Sequence, residues 1–270
     1  MSRVGYNAIA KIPADVRKRL DAGEEAPLTL TEWLAIDLAS LLAARLGDVG
    51  LADARDTLVA AAQSVADDGV MSRLKHIGSA VHAVLCERSD GSERFAALAA
   101  HPNPVLREVA AVSTMADTSL TVAARWRRLK PFAADADMNV KEIAWYALRP
   151  WVVKDLASAL AQYRRWITAK DANIRRCAVE GTRPRGVWCQ HVTALREEPG
   201  LAIDLLEPLR ADPSPYVRQA VANWLNDASK DQPDWTLSVT SRWREQSPCS
   251  QTQWICKRAE RTLRKRGLVE

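Results

Sequence analysis

The sequence has little of several things that usually betray a function. Five cysteines are scattered over 270 residues (Cys86, Cys177, Cys189, Cys249 and Cys256), and no two form a C-x-x-C pair. An odd number at such positions argues against a disulfide framework, and no His/Cys cluster has zinc-finger spacing. All five therefore read as reduced and mostly buried. No apolar run reaches the ~18 residues of a membrane span. The opening Met-Ser-Arg-Val-Gly-Tyr has no apolar signal core, so the cytoplasm is the expected compartment. No glycine-rich phosphate loop, nucleophile elbow or metal motif occurs. His76, His82, His101 and His191 stand apart from carboxylate or thiol partners at telling spacing and are given no role. Nor does any stretch alternate apolar and polar residues long enough to build a sheet, so the chain is expected to be all-α.

Phenylalanine is also scarce, with two against ten tryptophans. Cores are usually built from Leu, Ile, Val and Phe, so this excess suggests that some indoles work at a surface or a site. Trp224, Trp235, Trp243 and Trp254 are read first as packing residues. Hydrophobic residues make up 47% of the chain and charged ones 26%, the mix of a soluble globular protein. The net charge of +5 permits a polyanionic partner without identifying one.

The N-terminal part reads as a series of helices. One lies near Ala14–Leu20. A stronger one opens at Thr29, a plausible N-cap with Glu32 three residues on, and buries Leu34, Ile36, Leu38, Leu41 and Leu42. Ala52–Ala66, Val70–Cys86 and Glu93–Ala100 follow. From His101 the sequence repeats itself. Asn103-Pro104-Val105-Leu106-Arg107-Glu108-Val109-Ala110 resembles Met138–Ala144, Ala172–Ala178 and Pro215–Ala222. Arg107, Lys141, Arg175 and Arg218 hold the register, spaced 34, 34 and 43 residues apart. Two helices per period of this length mean a HEAT-like α-solenoid, in which neighbouring pairs stack into a curved superhelix with a concave surface. The expectation is one domain over 1–270, with 1–100 as an N-terminal helical portion and 101–270 as regular repeats.

The stretch that lengthens the last period is the unusual one. Arg175-Arg176-Cys177-Ala178-Val179-Glu180 reads as a short helix stopped by Gly181, as a left-handed cap, and Pro184. Arg176, Arg183, Arg185, Glu180 and Trp188 then fall within thirteen residues, with Arg176 and Glu180 on one helix face. An intrahelical ion pair beside a packing tryptophan would account for the pattern equally well. At the C-terminus, Lys257, Arg261, Arg264 and Lys265 fall on one helical face, away from Ile255, Ala259 and Leu263. That face is either a solvated helix surface or a cationic rail for nucleic-acid phosphates.

Two long segments carry a family resemblance. Glu180-Gly181-Thr182-Arg183-Pro184-Arg185 with Trp188 resembles the S-E-G-T-R-P-R-x-x-W segment of the HEAT-like DNA glycosylases of the AlkC/AlkD type, AlkC in particular. Tyr216–Asp231 resembles their Y-V-R-x-S-V-A-N-x-L-N-D-I-S-K-D segment. Thr31–Asp37 adds weaker support. Some members add an immunoglobulin-like domain, which this chain is expected to lack. The resemblance implies an enzyme that removes cationic N-alkylated purines of the 3-methyladenine type from duplex DNA without flipping the nucleotide fully out. It implies no metal or cofactor and alkylated double-stranded DNA as the partner; a monomer is expected because solenoids of this size usually work alone. It assigns Glu180 and Asp227 to the chemistry, stabilising an oxocarbenium-like sugar and orienting water. Trp188 becomes a cation–π face for the charged base. Arg176, Arg183 and Arg185 lie near the lesion and its phosphates.

One position departs. Where the family pattern S-S-E-F-A-I-R-P has its glutamate, this chain has Trp145, within Glu142-Ile143-Ala144-Trp145-Tyr146-Ala147-Leu148-Arg149-Pro150. Trp145 could be a second cation–π face against the lesion, with Glu142 nearby as a substitute carboxylate. It could equally mark a member that binds DNA without cleaving it efficiently. A non-catalytic module for damaged or distorted DNA is therefore the alternative reading. A protein-binding solenoid is the third.

Overall fold

A computed structural model of the chain describes residues 3–186 and 188–269. Among them every regular element is a helix, and the architecture is all-α with HEAT-like helical repeats. Among the described residues no helix is long and apolar enough to cross a membrane. Contacts group the chain into two compact units, Met1–Ser119 with Ala136–Ile143, and Leu120–Asp135 with Ala144–Glu270.

The repeat register has a visible cause. In each repeat the basic residue folds back onto the turn that leads into its own helix. Arg107 donates to the carbonyls of His101 and Pro102 (2.8 and 2.9 Å). Arg175 does the same at Ala169 and Lys170 (2.9 and 2.9 Å), and Arg218 at Asp212 and Pro213 (2.9 and 2.8 Å). Lys141 reaches Ala136 O at 3.4 Å. The same turns carry Asn103, Asp137, Asp171 and Asp212, whose side chains accept backbone N–H groups two residues on. The first three satisfy donors that a helix start leaves open, each worth about 1 kcal/mol, whereas Asp212 accepts from Ser214 N, one residue before its helix.

In the first unit Thr29 caps as expected, its hydroxyl accepting from Glu32 N. The helix it opens is short, Leu30–Ala35, and a second one, Leu38–Arg45, follows. The expected single helix breaks because Asp37 turns its carboxylate onto Ala39 N and starts a new N-terminus. Ile36, Leu38, Leu41 and Leu42 are buried as expected, and Leu34 half-buried. The helices Val70–Cys86 and Pro104–Ala116 approach closely at Gly78, where a Cβ would lie 2.7 Å from Val112 Cγ1.

The second unit holds the site. Ala172–Gly181 packs against Pro215–Ala228, which packs in turn against Ser250–Ala259. Val122–Ala133, Leu156–Trp166 and Pro233–Gln246 supply the companion helices. Trp126, Tyr163 and Trp166 form two edge-on contacts, with ring centroids 5.3 and 5.6 Å apart. Trp224 and Trp243 are fully buried, Trp235 half-buried, and Trp254 is 42% exposed, so the last departs from the packing role read for it. Of the cysteines, Cys177 and Cys256 are buried, Cys189 and Cys249 half-buried, and Cys86 is exposed.

Candidate active site

Glu180 sits one residue before the end of the Ala172–Gly181 helix, and Asp227 one residue before the end of Pro215–Ala228. Both carboxylates are nearly sealed from solvent, at 6% and 2% exposure. The packing of these two helices brings their C-terminal ends together, and a single guanidinium joins them. Arg183 donates from Nη1 to Glu180 Oε2 at 3.1 Å and from Nε to Asp227 Oδ2 at 2.8 Å. Arg176 Nη2 stands 3.6 Å from Glu180 Oε1, the expected pairing four residues apart. Lys230 Nζ donates to Asp227 Oδ1 at 2.9 Å. The result is an alternating row, Arg176–Glu180–Arg183–Asp227–Lys230. Arg176 also stacks over the Tyr216 ring at 4.1 Å. Burial lowers the Arg183 pKa, but the charges and hydrogen bonds of Glu180 and Asp227 outweigh it, and the net shift is upward.

The helix stop at Gly181 works differently from the left-handed cap expected. Gly181 is the last helical residue, and the positive-φ glycines among the described residues are Gly23, Gly50 and Gly267. What Gly181 provides is absence of a side chain, because a Cβ there would collide with the Tyr163 hydroxyl. Thr182 then ends the helix, its hydroxyl on the carbonyls of Ala178 and Val179. Trp224 Nε1 donates to Thr182 O at 3.0 Å, fixing the end of one helix to the next.

Beyond Thr182 the chain leaves the repeat pattern and carries the other expected residues. Arg185 grips Asp231 with two hydrogen bonds, at 2.9 and 2.7 Å. Arg196 grips the same carboxylate with two more, at 3.1 and 3.0 Å. Trp188 is 55% exposed and is the one non-glycine residue with positive φ among those described, at 63°. A bulky side chain in that region costs about 1–3 kcal/mol and persists where the surroundings impose it. The Val187 position lies outside the described residues.

The remaining expected residues are carried by other helices. Trp145 keeps 8% of its surface, on the helix Met138–Lys154. The basic C-terminal face is not one helix: Glu260 separates Ser250–Ala259 from Arg261–Lys265. Glu260 is 2% exposed and takes hydrogen bonds from Arg244 and Arg264, each at 2.7 Å, which draws the chain inward at that point. Arg261 donates to Asn223 Oδ1 at 3.0 Å and lies close enough to Asp227 and Arg183 to feel their charges. Of the four expected cations, Lys257 and Lys265 are exposed, while Arg261 and Arg264 are half-buried. Asn226 accepts from Thr262 N and Oγ1, an anchor for the final helix.

Sequence reading passed over Arg149. Its guanidinium is 1% exposed and donates to three carbonyls: Gly181 O at 2.9 Å, Arg183 O at 2.7 Å and Gln190 O at 2.7 Å. Burial pushes its pKa down. Lys230 and Tyr216 were also passed over, although both lie inside the Tyr216–Asp231 segment. Among the described residues no three His, Cys, Asp or Glu side chains converge as metal ligands would.

A 122-residue stretch is 41% identical to the uncharacterized protein YhaZ of Bacillus subtilis (strain 168), covering 45% of this chain and 34% of that protein. The chain thus matches about a third of the length of that curated relative. Among solved structures, alkylpurine DNA glycosylase AlkC of Pseudomonas fluorescens, bound to DNA containing an abasic site analog, superimposes with a TM-score of 0.70 at 26% identity. That match covers 85% of this chain and 63% of AlkC. AlkD2 of Streptococcus mutans shares the fold, with a TM-score of 0.58 at 19% identity over 76% of this chain and 98% of its own. Residues 107–250, which contain Glu180, Arg183 and Asp227, match the family described as DNA alkylation repair enzyme, and to that family this chain belongs.

Proposed function

We propose that this chain is an alkylpurine DNA N-glycosylase, which hydrolyses the N-glycosidic bond of cationic, 3-methyladenine-type bases in duplex DNA without flipping the nucleotide fully out. The observation that carries the reading is the pair of nearly buried carboxylates, Glu180 and Asp227, brought together from two helices and bridged by one guanidinium. Two carboxylates in a desolvated setting are what an oxocarbenium-like sugar needs, since charge stabilisation grows as water is excluded. An N3- or N7-alkylated purine already carries a positive charge and leaves as a neutral base, so no strong acid is needed at the leaving group. One carboxylate would face the developing sugar charge and the other would orient the attacking water. Trp188, exposed on the segment that follows Glu180 and Arg183 in the chain, would lay its indole against the cationic base, a contact worth ~0.5–2 kcal/mol. Trp145 would meet the lesion only through the small part of its surface left open. Arg176 and Arg261 would border the strand, with Lys257, Arg264 and Lys265 reaching phosphates further along it.

One observation favours a second reading. The carboxylate oxygens of Glu180 and Asp227 already accept from or face Arg176, Arg183 and Lys230. With their charge spent inside the protein and Trp145 in place of a family glutamate, the chain would recognise damaged DNA and leave the bond intact.

Base release from methylated duplex DNA separates the two, with 3-methyladenine and 7-methylguanine quantified apart. Wild type is expected to release 3-methyladenine, and Glu180→Gln or Asp227→Asn to lower the rate at least a hundredfold, with DNA affinity held within about threefold. No release by wild type, with DNA still bound, would establish the recognition module.

A further inference from the structure

We infer that Arg149 is a positioning residue for Trp188, a role that rests on the glycosylase reading. Its guanidinium lies under the segment that interrupts the repeats, and its three acceptors are not scattered. Gly181 O and Arg183 O flank the point where the segment departs from the helix, and Gln190 O lies where it returns. One planar group therefore holds both ends of the segment that carries Arg185 and Trp188. The backbone adds a rung beside it, Val192 N to Pro184 O at 3.1 Å. Side chains crowd the enclosed space: a Cβ on Gly186 would collide with Cys189 Sγ and lie 3.0 Å from Arg149 Nη2.

The geometry explains the backbone of Trp188. Its left-handed backbone needs outside constraint, because nothing in an isolated tryptophan favours φ of 63°. Its indole is 55% exposed, so packing around the ring does not supply that constraint. The three bonds from Arg149 do, by fixing where the segment starts and ends. They also justify a buried cation, since each charge-assisted bond to a carbonyl offsets part of the desolvation cost. Lysine cannot replace it. An ammonium on a flexible stem has no fork that matches three carbonyls lying in different directions. Arg149 is one helical turn beyond Trp145, on the same face, so the position that departs from the family pattern adjoins this clamp.

The test joins kinetics to a double-mutant cycle. Single-turnover release of 3-methyladenine from methylated duplex is measured for wild type, Arg149→Lys, Trp188→Ala and the double variant, with duplex Kd determined for each. Arg149→Lys is expected to slow release at saturating protein at least tenfold while Kd changes less than threefold. The double variant should be no slower than the slower single one. Multiplying effects, or a loss confined to Kd, would overturn the inference. A second readout does not depend on activity. With 5-fluorotryptophan incorporated, the resonance missing in Trp188→Phe identifies Trp188. It should shift or split in Arg149→Lys, and also in Gly186→Ala, which strains the clamp while leaving Arg149 in place. An unmoved Trp188 resonance in both folded variants would sink the proposal. Absence of release by wild type would instead count against the glycosylase reading, and the resonance alone would then decide the clamp.

Discussion

Asp231 accepts four hydrogen bonds from two guanidiniums, those of Arg185 and Arg196. Arg196 and then Arg185 pull its pKa far below the usual carboxylate range. The sign of the pH dependence follows. A depressed folded-state pKa contributes stability above the unfolded value, ~3.9 for aspartate, and the contribution fades as acid titrates the folded group. Asp231→Asn should therefore be less stable than wild type by about 1 kcal/mol at pH 7, since the partners are partly solvated. The gap should close as pH falls below about 4. Urea midpoints at pH 7, 5 and 3 check this, and a gap that widens in acid would refute it. Legibility at this scale depended on sequence distance. Arg176 and Glu180, four apart on a helix, can be paired on paper. Arg149 cannot, because its acceptors lie 32, 34 and 41 residues away and are backbone carbonyls, which any residue type could supply. The spacing of Arg183 to Glu180 was equally visible, yet its second bond, to Asp227, lies 44 residues on and needed the helices in place.

Helices one repeat apart were read correctly wherever their start carried a signal. Val70–Cys86 appears with the bounds read for it, and the repeat helices that start at Pro104, Met138 and Ala172 begin directly behind Asn103, Asp137 and Asp171. Ends and interruptions were harder. The break at Asp37 and the break at Glu260 both come from a carboxylate that a helical pattern treats as one more polar position. Gly181 shows the same limit from the other side. Glycine near a helix end suggests a left-handed cap, whereas here it makes room for Tyr163, a neighbour that no local pattern names. The structural account makes a different prediction from the cap account. Gly181→Ala should destabilise the protein by about 1–3 kcal/mol through overcrowding against a fully buried ring. Pairing it with Tyr163→Phe, which removes the offending hydroxyl, should recover part of that loss. A left-handed cap would show no such recovery, so the denaturation midpoints of the two single variants and the pair decide between them.

Across the molecule, 38 Lys and Arg against 33 Asp and Glu leave a formal charge of +5. That number overstates the charge left free for the proposed DNA partner. Arg107, Arg175 and Arg218 are spent on the turns that start their helices. Arg149 is spent on carbonyls, Arg185 and Arg196 on Asp231, and Arg183 on the two central carboxylates. Lys257 and Lys265 stand in solvent. Each phosphate contact releases counterions and contributes about 0.9 to the slope of log K against log salt. Lys257→Ala and Lys265→Ala should each flatten that slope by about one ion, with little effect on the release rate at saturating DNA. Arg183→Ala should leave the slope near the wild-type value and remove base release, because its charge faces Glu180 and Asp227 instead of the strand. If the slope fell for Arg183→Ala as it does for the lysines, the guanidinium would have to leave the carboxylates for a phosphate when DNA binds. The row of charges would then open on binding, freeing Glu180 and Asp227 to face the cationic lesion at the moment the strand arrives.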